Sequence, residues 1–151
     1  MAIIVRIENP RQPDVLRLLA ALDTYLTALY PPESNHLLDV DSLCASDVRF
    51  FVARDGSGPL GCGALRIVDG YGEVKRMFVD PAARRRRLGR AILERIEGEA
   101  QREGLRLMRL ETGIRQPEAL ALYRRAGYAE RGPFGEYAVD PLSVYMEKAL
   151  P

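Results

Sequence analysis

Residues 72–93 form a strand, a basic turn and a helix, and this stretch restricts the fold more than any other part of the chain. The apolar residues of 74–79 indicate a buried strand. Asp80-Pro81 ends this strand, because proline cannot donate to a strand ladder. Apolar residues then recur at helical spacing, at Leu88, Ile92 and Ile96. The sequence therefore predicts a strand that leads directly into a helix N-terminus.

Five arginines stand in the turn and the first helical positions: Arg84, Arg85, Arg86, Arg87 and Arg90. A helix N-terminus presents unpaired backbone N–H groups and the positive end of the peptide dipoles. Together with guanidinium groups, such a place binds phosphate. The alternative interpretation is a solvated basic face, because runs of charge are often ordinary surface.

Composition restricts the class of protein. The 151 residues, 47% of them hydrophobic, fit one domain over residues 1–151. Lys and Arg number 22 against 21 Asp and Glu, so the arginine run is a local concentration of charge that favours a small polyanion over a nucleic acid. Cys44 and Cys62 lack metal-ligand spacing, and we expect both to be small buried hydrophobes. The sequence implies no metal.

The N-terminal residues lack the charged and then apolar layout of a signal peptide. No apolar run approaches the roughly 20 residues that a membrane-spanning helix needs. We therefore expect a soluble, cytoplasmic protein without a membrane partner.

The order of predicted elements indicates an α/β (α+β) fold. Strand patterns cover residues 2–8, 48–54, 60–68, 72–79, 105–113, 127–131 and 142–148, and helical patterns cover 15–26, 39–45, 87–103 and 118–126. Short turns join the second to fourth strands, so these are antiparallel. The helix at 87–103 is a crossover and makes its flanking strands parallel. Where two such strands separate, the sheet leaves a cleft for a ligand.

Two motifs resemble those of the GNAT superfamily of acetyl-CoA-dependent acyltransferases. Arg84-x-x-Arg87-x-Gly89 is similar to the cofactor motif Arg/Gln-x-x-Gly-x-Gly/Ala, with Arg87 in place of its first glycine. A second register, Arg86-x-x-Gly89-x-Ala91, satisfies the pattern two residues later. Residues 116–128 resemble the segment Asn-x-x-Ala-x-x-Leu-Tyr-x-x-x-Gly-Phe, with Gln116 and Tyr128 in its first and last places.

The resemblance implies a single GNAT-like domain with a mixed, mostly antiparallel sheet, splayed parallel strands and flanking helices. It implies direct transfer of an acetyl group from acetyl-CoA to a primary amine in a ternary complex. The cofactor residues that it implies are Met77, Phe78, Val79, Arg84, Arg85, Arg86, Arg87, Leu88, Gly89, Arg90, Ala91 and Gln116.

Two catalytic roles follow from the same resemblance. Tyr123 is expected to protonate the leaving thiolate, and Glu73 to accept the amine proton directly or through water. The alternatives are that Tyr123 is a packed core residue and that Glu73 pairs with a neighbouring Lys or Arg. Strand alternation predicts one face for Glu73 and three other residues of the strand: Lys75, Met77 and Val79.

The loops at 30–36 and 132–141 are expected to border the acceptor, because loops usually carry specificity and the family places them there. The candidate acceptor residues are His36, Phe134, Glu136 and Tyr137. A mixture of aromatic rings and carboxylates suits an amine on an aromatic or aliphatic body, whether a small molecule, a peptide or a protein. The alternative is that the aromatics anchor the loop to the core.

Two rival functions stay open at this point. Arg87 in the glycine position favours an acyl-CoA sensor that binds without turnover, and the arginine turn also suits a nucleic-acid-binding domain. The preferred interpretation is an N-acetyltransferase with no nucleic-acid partner, and a homodimer is compatible with it.

Overall fold

The computed structural model describes residues 2–84 and 86–151, so the candidate phosphate ligand Arg85 lies outside the described residues. The strands are β1 Ile4–Ile7, β2 Val48–Asp55, β3 Gly58–Val68, β4 Tyr71–Val79, β5 Leu107–Gly113, β6 Ala129–Arg131 and β7 Ser143–Ala149. The α-helices are α1 Pro13–Leu29, α2 Val40–Leu43, α3 Leu88–Arg102 and α4 Pro117–Arg125. Single 3₁₀ turns cover Pro32–Ser34 and Pro81–Ala83.

The strands form one seven-stranded sheet in the order β1-β2-β3-β4-β5-β7-β6. Every neighbouring pair is antiparallel except β4 and β5, which are parallel. The paired part of β4 and β5 joins Gly72–Val74 to Met108–Leu110, and beyond these residues the two strands separate. The prediction of a mixed, mostly antiparallel sheet with splayed parallel strands is confirmed.

Helices α1 and α3 cover opposite faces of the sheet. In α1 the predicted apolar stripe is buried at Val15, Leu18, Leu19 and Leu22, while α3 buries a similar stripe that includes Ile92. Each such side chain contributes about 1.5–3 kcal/mol relative to an exposed one. These two cores hold the central strands in place and thereby position the gap between β4 and β5.

A β-bulge in β4 changes which side chains share a face. Arg76 adopts a left-handed backbone with φ 55°, and the pairing register with β3 shifts between Cys62 and Ala64. The bulge places one extra residue on β4, so side chains after it exchange faces. Met77 packs with the α3 core, whereas Glu73 lies opposite Arg66 on the α1 side. The predicted common face for Glu73, Lys75, Met77 and Val79 is therefore wrong.

The two cysteines differ in environment. Cys62 is buried, as predicted, and burial raises its pKa to about 12. Cys44 is exposed, because it ends the short helix α2 at the surface, so its predicted burial is wrong. Among the helices of residues 2–84 and 86–151, none has the length and apolar character needed to cross a membrane.

Candidate active site

A cavity of about 830 Å³, which we call the large cleft, opens where β4 and β5 separate. Nine predicted cofactor residues line it: Met77, Phe78, Val79, Arg84, Arg87, Leu88, Gly89, Arg90 and Gln116. The opposite wall belongs to α4 and includes Glu118, Leu122 and Arg125, which the sequence analysis did not select. The structure therefore brings the β4 end, the α3 N-terminus and α4 together around one space.

The N-terminus of α3 presents donors to this cleft. The first helical N–H bond of the turn runs from Ala91 to the carbonyl of Arg87, so the N–H groups of Leu88, Gly89 and Arg90 precede the helical ladder. Ala91, a further predicted cofactor residue, does not line the cleft, and its N–H is used in the helix. Three arginine side chains and a helix N-terminus suit the phosphates of a nucleotide-type cofactor.

Arg86 points elsewhere. Its Nη1 lies 3.0 Å from Asp55 Oδ2 in the turn between β2 and β3, and it does not line the cleft. The pKa of Asp55 is lowered to about 2 by hydrogen bonds from Ser57 and then from Arg86. We infer that Arg86 ties the basic turn to the hairpin, whereas Arg84, Arg87 and Arg90 line the large cleft.

A second, smaller space of about 70 Å³, the inner cavity, adjoins the large cleft. Met77, Gln116 and Tyr123 line both, so they form the junction between the two spaces. The inner cavity is lined by residues of α1, the 30–36 loop, β4 and the end of β5. A group held in the large cleft therefore meets a group held in the inner cavity at these three residues.

Gln116 is fixed at the junction by its carbonyl oxygen. Oε1 accepts hydrogen bonds from the Tyr30 hydroxyl at 3.1 Å and from the Gly113 N–H at 3.2 Å. Gly113 permits this contact, because a Cβ at that position would lie 1.9 Å from the Tyr30 oxygen. With Oε1 occupied, the amide nitrogen of Gln116 is the group left to donate to a ligand.

Tyr123 is 5% exposed, and its ring packs edge-on against Tyr128 with centroids 5.9 Å apart. Burial and then the charge of Glu111 raise the pKa of the Tyr123 hydroxyl. The hydroxyl therefore stays protonated near neutral pH, which is the state that a proton donor needs.

Glu111, which the sequence analysis missed, lines the inner cavity near Tyr123. Its Oε2 accepts a hydrogen bond from Ser143 Oγ at 2.9 Å. Burial is the main cause that raises the pKa of this carboxyl, toward the range in which a general base works. The available signal was its place two residues before the end of β5, beside the predicted cleft.

Glu73 has a different environment. It is 2% exposed, and its Oε2 accepts a hydrogen bond of 2.5 Å from the Tyr137 hydroxyl and lies 3.5 Å from Lys75 Nζ. Its Oε1 lies 3.7 Å from Arg66. Glu73 lines neither cavity, so this geometry supports the alternative of a paired structural carboxylate.

The 30–36 and 132–141 loops meet over the inner cavity. Ser34 Oγ donates to Asp140 at 2.7 Å, and the rings of His36 and Tyr137 pack edge-on with centroids 5.2 Å apart. Lys75 Nζ donates to both sides, to the His36 carbonyl at 3.0 Å and to the Tyr137 hydroxyl at 2.6 Å. His36 lines the inner cavity, whereas Tyr137 packs against the His36 ring and does not line the cavity.

The other two acceptor candidates lie away from both cavities. Phe134 is 5% exposed and packs with Tyr71 and Tyr145 at centroid distances of 5.7 and 6.0 Å. Glu136 is exposed to solvent. The arrangement supports the alternative in which the aromatic residues anchor this loop to the core.

Comparison with known proteins agrees with this geometry. Residues 46–130 match the family described as "Acetyltransferase (GNAT) domain". A protein of Azospirillum brasilense named IAA acetyltransferase is 55% identical over 95% of both chains.

The chain belongs to the GNAT acetyltransferase family.

Solved GNAT-type structures have the same fold. The structure described as a putative acyl-CoA N-acyltransferase of Klebsiella pneumoniae is 36% identical, with a TM-score of 0.82 over 98% of this chain and 97% of the other. The PaiA N-acetyltransferase of Thermoplasma acidophilum, crystallised with coenzyme A, is 16% identical, with a TM-score of 0.76 and 99% coverage of each chain. The second likeness concerns the fold alone.

The structure explains why the GNAT motif prefers glycine where this chain has Arg87. Arg87 precedes α3 with φ 57° and ψ 30°, in the left-handed region. For a residue with a Cβ, this conformation costs roughly 1–2 kcal/mol, and glycine adopts it freely. In this chain a residue with a Cβ occupies the position, so the turn carries this strain.

We expect Arg87→Gly to raise the melting temperature by about 2–4 °C, which corresponds to about 1 kcal/mol for a chain of this size. Thermal unfolding followed by circular dichroism measures this change. Arg87→Ala is the matched control, because it also removes the guanidinium but keeps a Cβ in the strained position. Equal melting temperatures for the two variants would show that the backbone strain is negligible.

Proposed function

We propose that this GNAT acetyltransferase transfers the acetyl group of acetyl-CoA to a small primary amine within a ternary complex. The observation that carries the proposal is the junction of the two cavities, with Tyr123 at the junction and Glu111 in the inner cavity. In this proposal Tyr123 is the proton donor for the leaving sulfur, and Glu111 is the carboxylate that receives the proton of the amine. The homodimer stays a prediction.

The large cleft fits the cofactor in size and chemistry. Its volume of about 830 Å³ lies within the 300–1,000 Å³ typical of cofactor sites. Arg84, Arg87, Arg90 and the α3 N-terminus would hold the phosphates, and the backbone of Met77–Val79 would hold the extended arm. The coenzyme A and acetyl-CoA complexes of GNAT-fold proteins support acetyl-CoA as the cofactor.

The protein's side chains would handle the protons. Bound acetyl-CoA supplies a thioester carbon that the amine nitrogen attacks. Glu111 takes the proton from the amine as the new N–C bond forms, and its raised pKa suits this role. Tyr123 gives its proton to the sulfur as the C–S bond breaks. Glu73, which lines neither cavity, supports the acceptor wall through Tyr137 and Lys75.

An amine screen with thiol detection tests the proposal. We expect coenzyme A thiol to be released at a rate that depends on the amine, and mass spectrometry to find the N-acetylated product. The name of the 55% identical relative adds IAA to the compounds tested. Tight acetyl-CoA binding without thiol release would instead favour the sensor function.

We expect Arg84→Ala combined with Arg90→Ala to raise the Kd of acetyl-CoA by at least tens-fold. A hydrogen bond to a charged group contributes about 1.5–3 kcal/mol, and two are removed. Titration calorimetry measures the Kd. Arg86→Ala is the matched control, because Arg86 is paired with Asp55 and does not line the cleft. A larger rise of the Kd in the Arg86→Ala control would show that the phosphate site lies on the Asp55 side of the turn.

A further inference from the structure

Tyr30 connects the inner cavity to a predicted cofactor residue. It caps α1 at its C-terminus, begins the 30–36 loop, is 6% exposed and lines the inner cavity. Its hydroxyl lies 3.1 Å from Oε1 of Gln116, which stands 86 residues later in the chain and lines the large cleft as well. A side chain that the sequence analysis did not select therefore contacts the junction of the two cavities.

The hydrogen bonds of the Tyr30 hydroxyl have one consistent direction. The backbone N–H of Arg115 lies 3.0 Å from the hydroxyl oxygen and must donate to it, because an amide N–H cannot accept. Burial raises the pKa of the Tyr30 hydroxyl, so it keeps its proton near neutral pH. That proton is left for Gln116, so the atom of the Gln116 amide that faces Tyr30 is the oxygen.

The same contacts leave one orientation for the Gln116 amide. Its Oε1 also accepts a hydrogen bond from the Gly113 N–H at 3.2 Å. Turning the amide over would place its NH₂ group against this N–H, so that two donors would face each other. Within the described residues, Gln116 Nε2 has no hydrogen-bond partner, and it is not among the fully buried polar atoms. Nε2 is therefore a donor that a ligand can reach.

The turn between β5 and α4 holds the Tyr30 side chain. Arg115 Nη1 donates to the carbonyl of Leu29 at 2.5 Å, and its guanidinium lies 5.9 Å from the centre of the Tyr30 ring. The backbone N–H of the same arginine holds the hydroxyl. The hydroxyl is thus fixed before a ligand arrives, which is how a binding group is preorganised.

We propose that Tyr30 is a positioning residue of the cofactor site, which fixes the Gln116 amide so that Nε2 donates a hydrogen bond to bound acetyl-CoA. This inference rests on the proposed use of acetyl-CoA as the acetyl donor. An amide N–H needs an acceptor such as a carbonyl oxygen, and the extended arm and the thioester of the cofactor both supply one.

A double-mutant cycle tests the inference, with the Kd of acetyl-CoA measured by titration calorimetry. We expect Tyr30→Phe to raise the Kd about two- to tenfold, the range for one neutral hydrogen bond. In the Gln116→Ala protein, the same substitution should change the Kd by less than about twofold, because no amide is left to position. A purely structural tyrosine would change the Kd by the same factor in both proteins.

Gln116→Glu tests the orientation of the amide separately. Its carboxylate keeps an oxygen for the Tyr30 hydroxyl and the Gly113 N–H but has no N–H to donate. We therefore expect a rise in Kd at least as large as that of Tyr30→Phe. Tyr145→Phe is the matched control, because it also loses a buried hydroxyl, which donates to the Ala138 carbonyl at 2.7 Å, but lines neither cavity. Its Kd should be unchanged.

The outcomes separate this inference from the proposed function. Equal factors for Tyr30→Phe in the two proteins would overturn the positioning role and leave acetyl transfer intact. The role would also be overturned if Gln116→Glu bound acetyl-CoA like the natural protein, or if Tyr145→Phe raised the Kd as much as Tyr30→Phe. Absence of thiol release with every amine would overturn acetyl transfer, whereas the expected coupling between Tyr30 and Gln116 would still support the positioning role.

Discussion

Glu111→Gln is expected to lower kcat about 10²- to 10⁴-fold, the usual contribution of general acid–base catalysis, while leaving the Kd of acetyl-CoA unchanged. Glutamine has nearly the same shape and retains an oxygen for the Ser143 hydroxyl, so we expect little change in melting temperature. Stopped-flow or steady-state thiol release and titration calorimetry measure the two quantities separately.

The pH profile gives a second measure of the same residue. A base must be ionised, so kcat of the natural protein should fall as the pH drops through the raised pKa of Glu111. This acid limb should lie above the usual carboxyl range and should be absent from the residual activity of Glu111→Gln. If the acid limb of the pH profile were unchanged in Glu111→Gln, a group other than Glu111 would cause it.

Glu73→Gln is the matched control, because Glu73 was the base expected from the sequence. We expect this variant to lose thermal stability, since the buried carboxylate pairs with Tyr137, Lys75 and Arg66. If it instead loses kcat at full stability while Glu111→Gln stays active, Glu73 is the base and our assignment is wrong.

Tyr123→Phe is expected to lower kcat by a similar factor of about 10²–10⁴ without changing the Kd of acetyl-CoA. The substitution removes the hydroxyl at the junction and keeps the ring that packs against Tyr128. Rates of thiol release, measured with acceptors for which the chemical step is rate-limiting, show the fall in kcat directly.

Tyr128→Phe is its matched control on the same aromatic pair. The Tyr128 hydroxyl donates to Glu97 at 2.8 Å, away from the junction, so its loss should lower the melting temperature and spare kcat. A normal kcat in Tyr123→Phe would mean that the thiolate leaves without this proton, and the role of Tyr123 would be limited to packing.

Local patterns in the sequence were sufficient to predict the helices and strands and their order along the chain. The apolar stripe of 15–26 lies within the helix Pro13–Leu29, the pattern of 87–103 matches the helix Leu88–Arg102, and the Asp80-Pro81 stop coincides with the end of β4. Such features depend on near neighbours in the chain, so the sequence displays them directly. The crossover between β4 and β5 likewise required a parallel pair and thus a cleft.

The candidate site was only partly predictable, because much of it depends on contacts between residues far apart in the chain. The bulge at Arg76 moved Met77 to the α3 side, away from the face of Glu73, whose carboxylate accepts a hydrogen bond from Tyr137, 64 residues later. A one-residue change of register moves the following side chains of a strand to the opposite face, and no local sequence pattern predicted this bulge.

By itself, the sequence determined the order of elements, the basic helix start and the place of Tyr123, since each follows from spacing along the chain. Only the tertiary structure decided that Glu111 lines the inner cavity, that Arg86 turns to Asp55, and that Lys75 donates to the backbone carbonyl of His36. The physical reason is that side-chain partners and burial are set by packing across the sheet, which brings distant residues to one place.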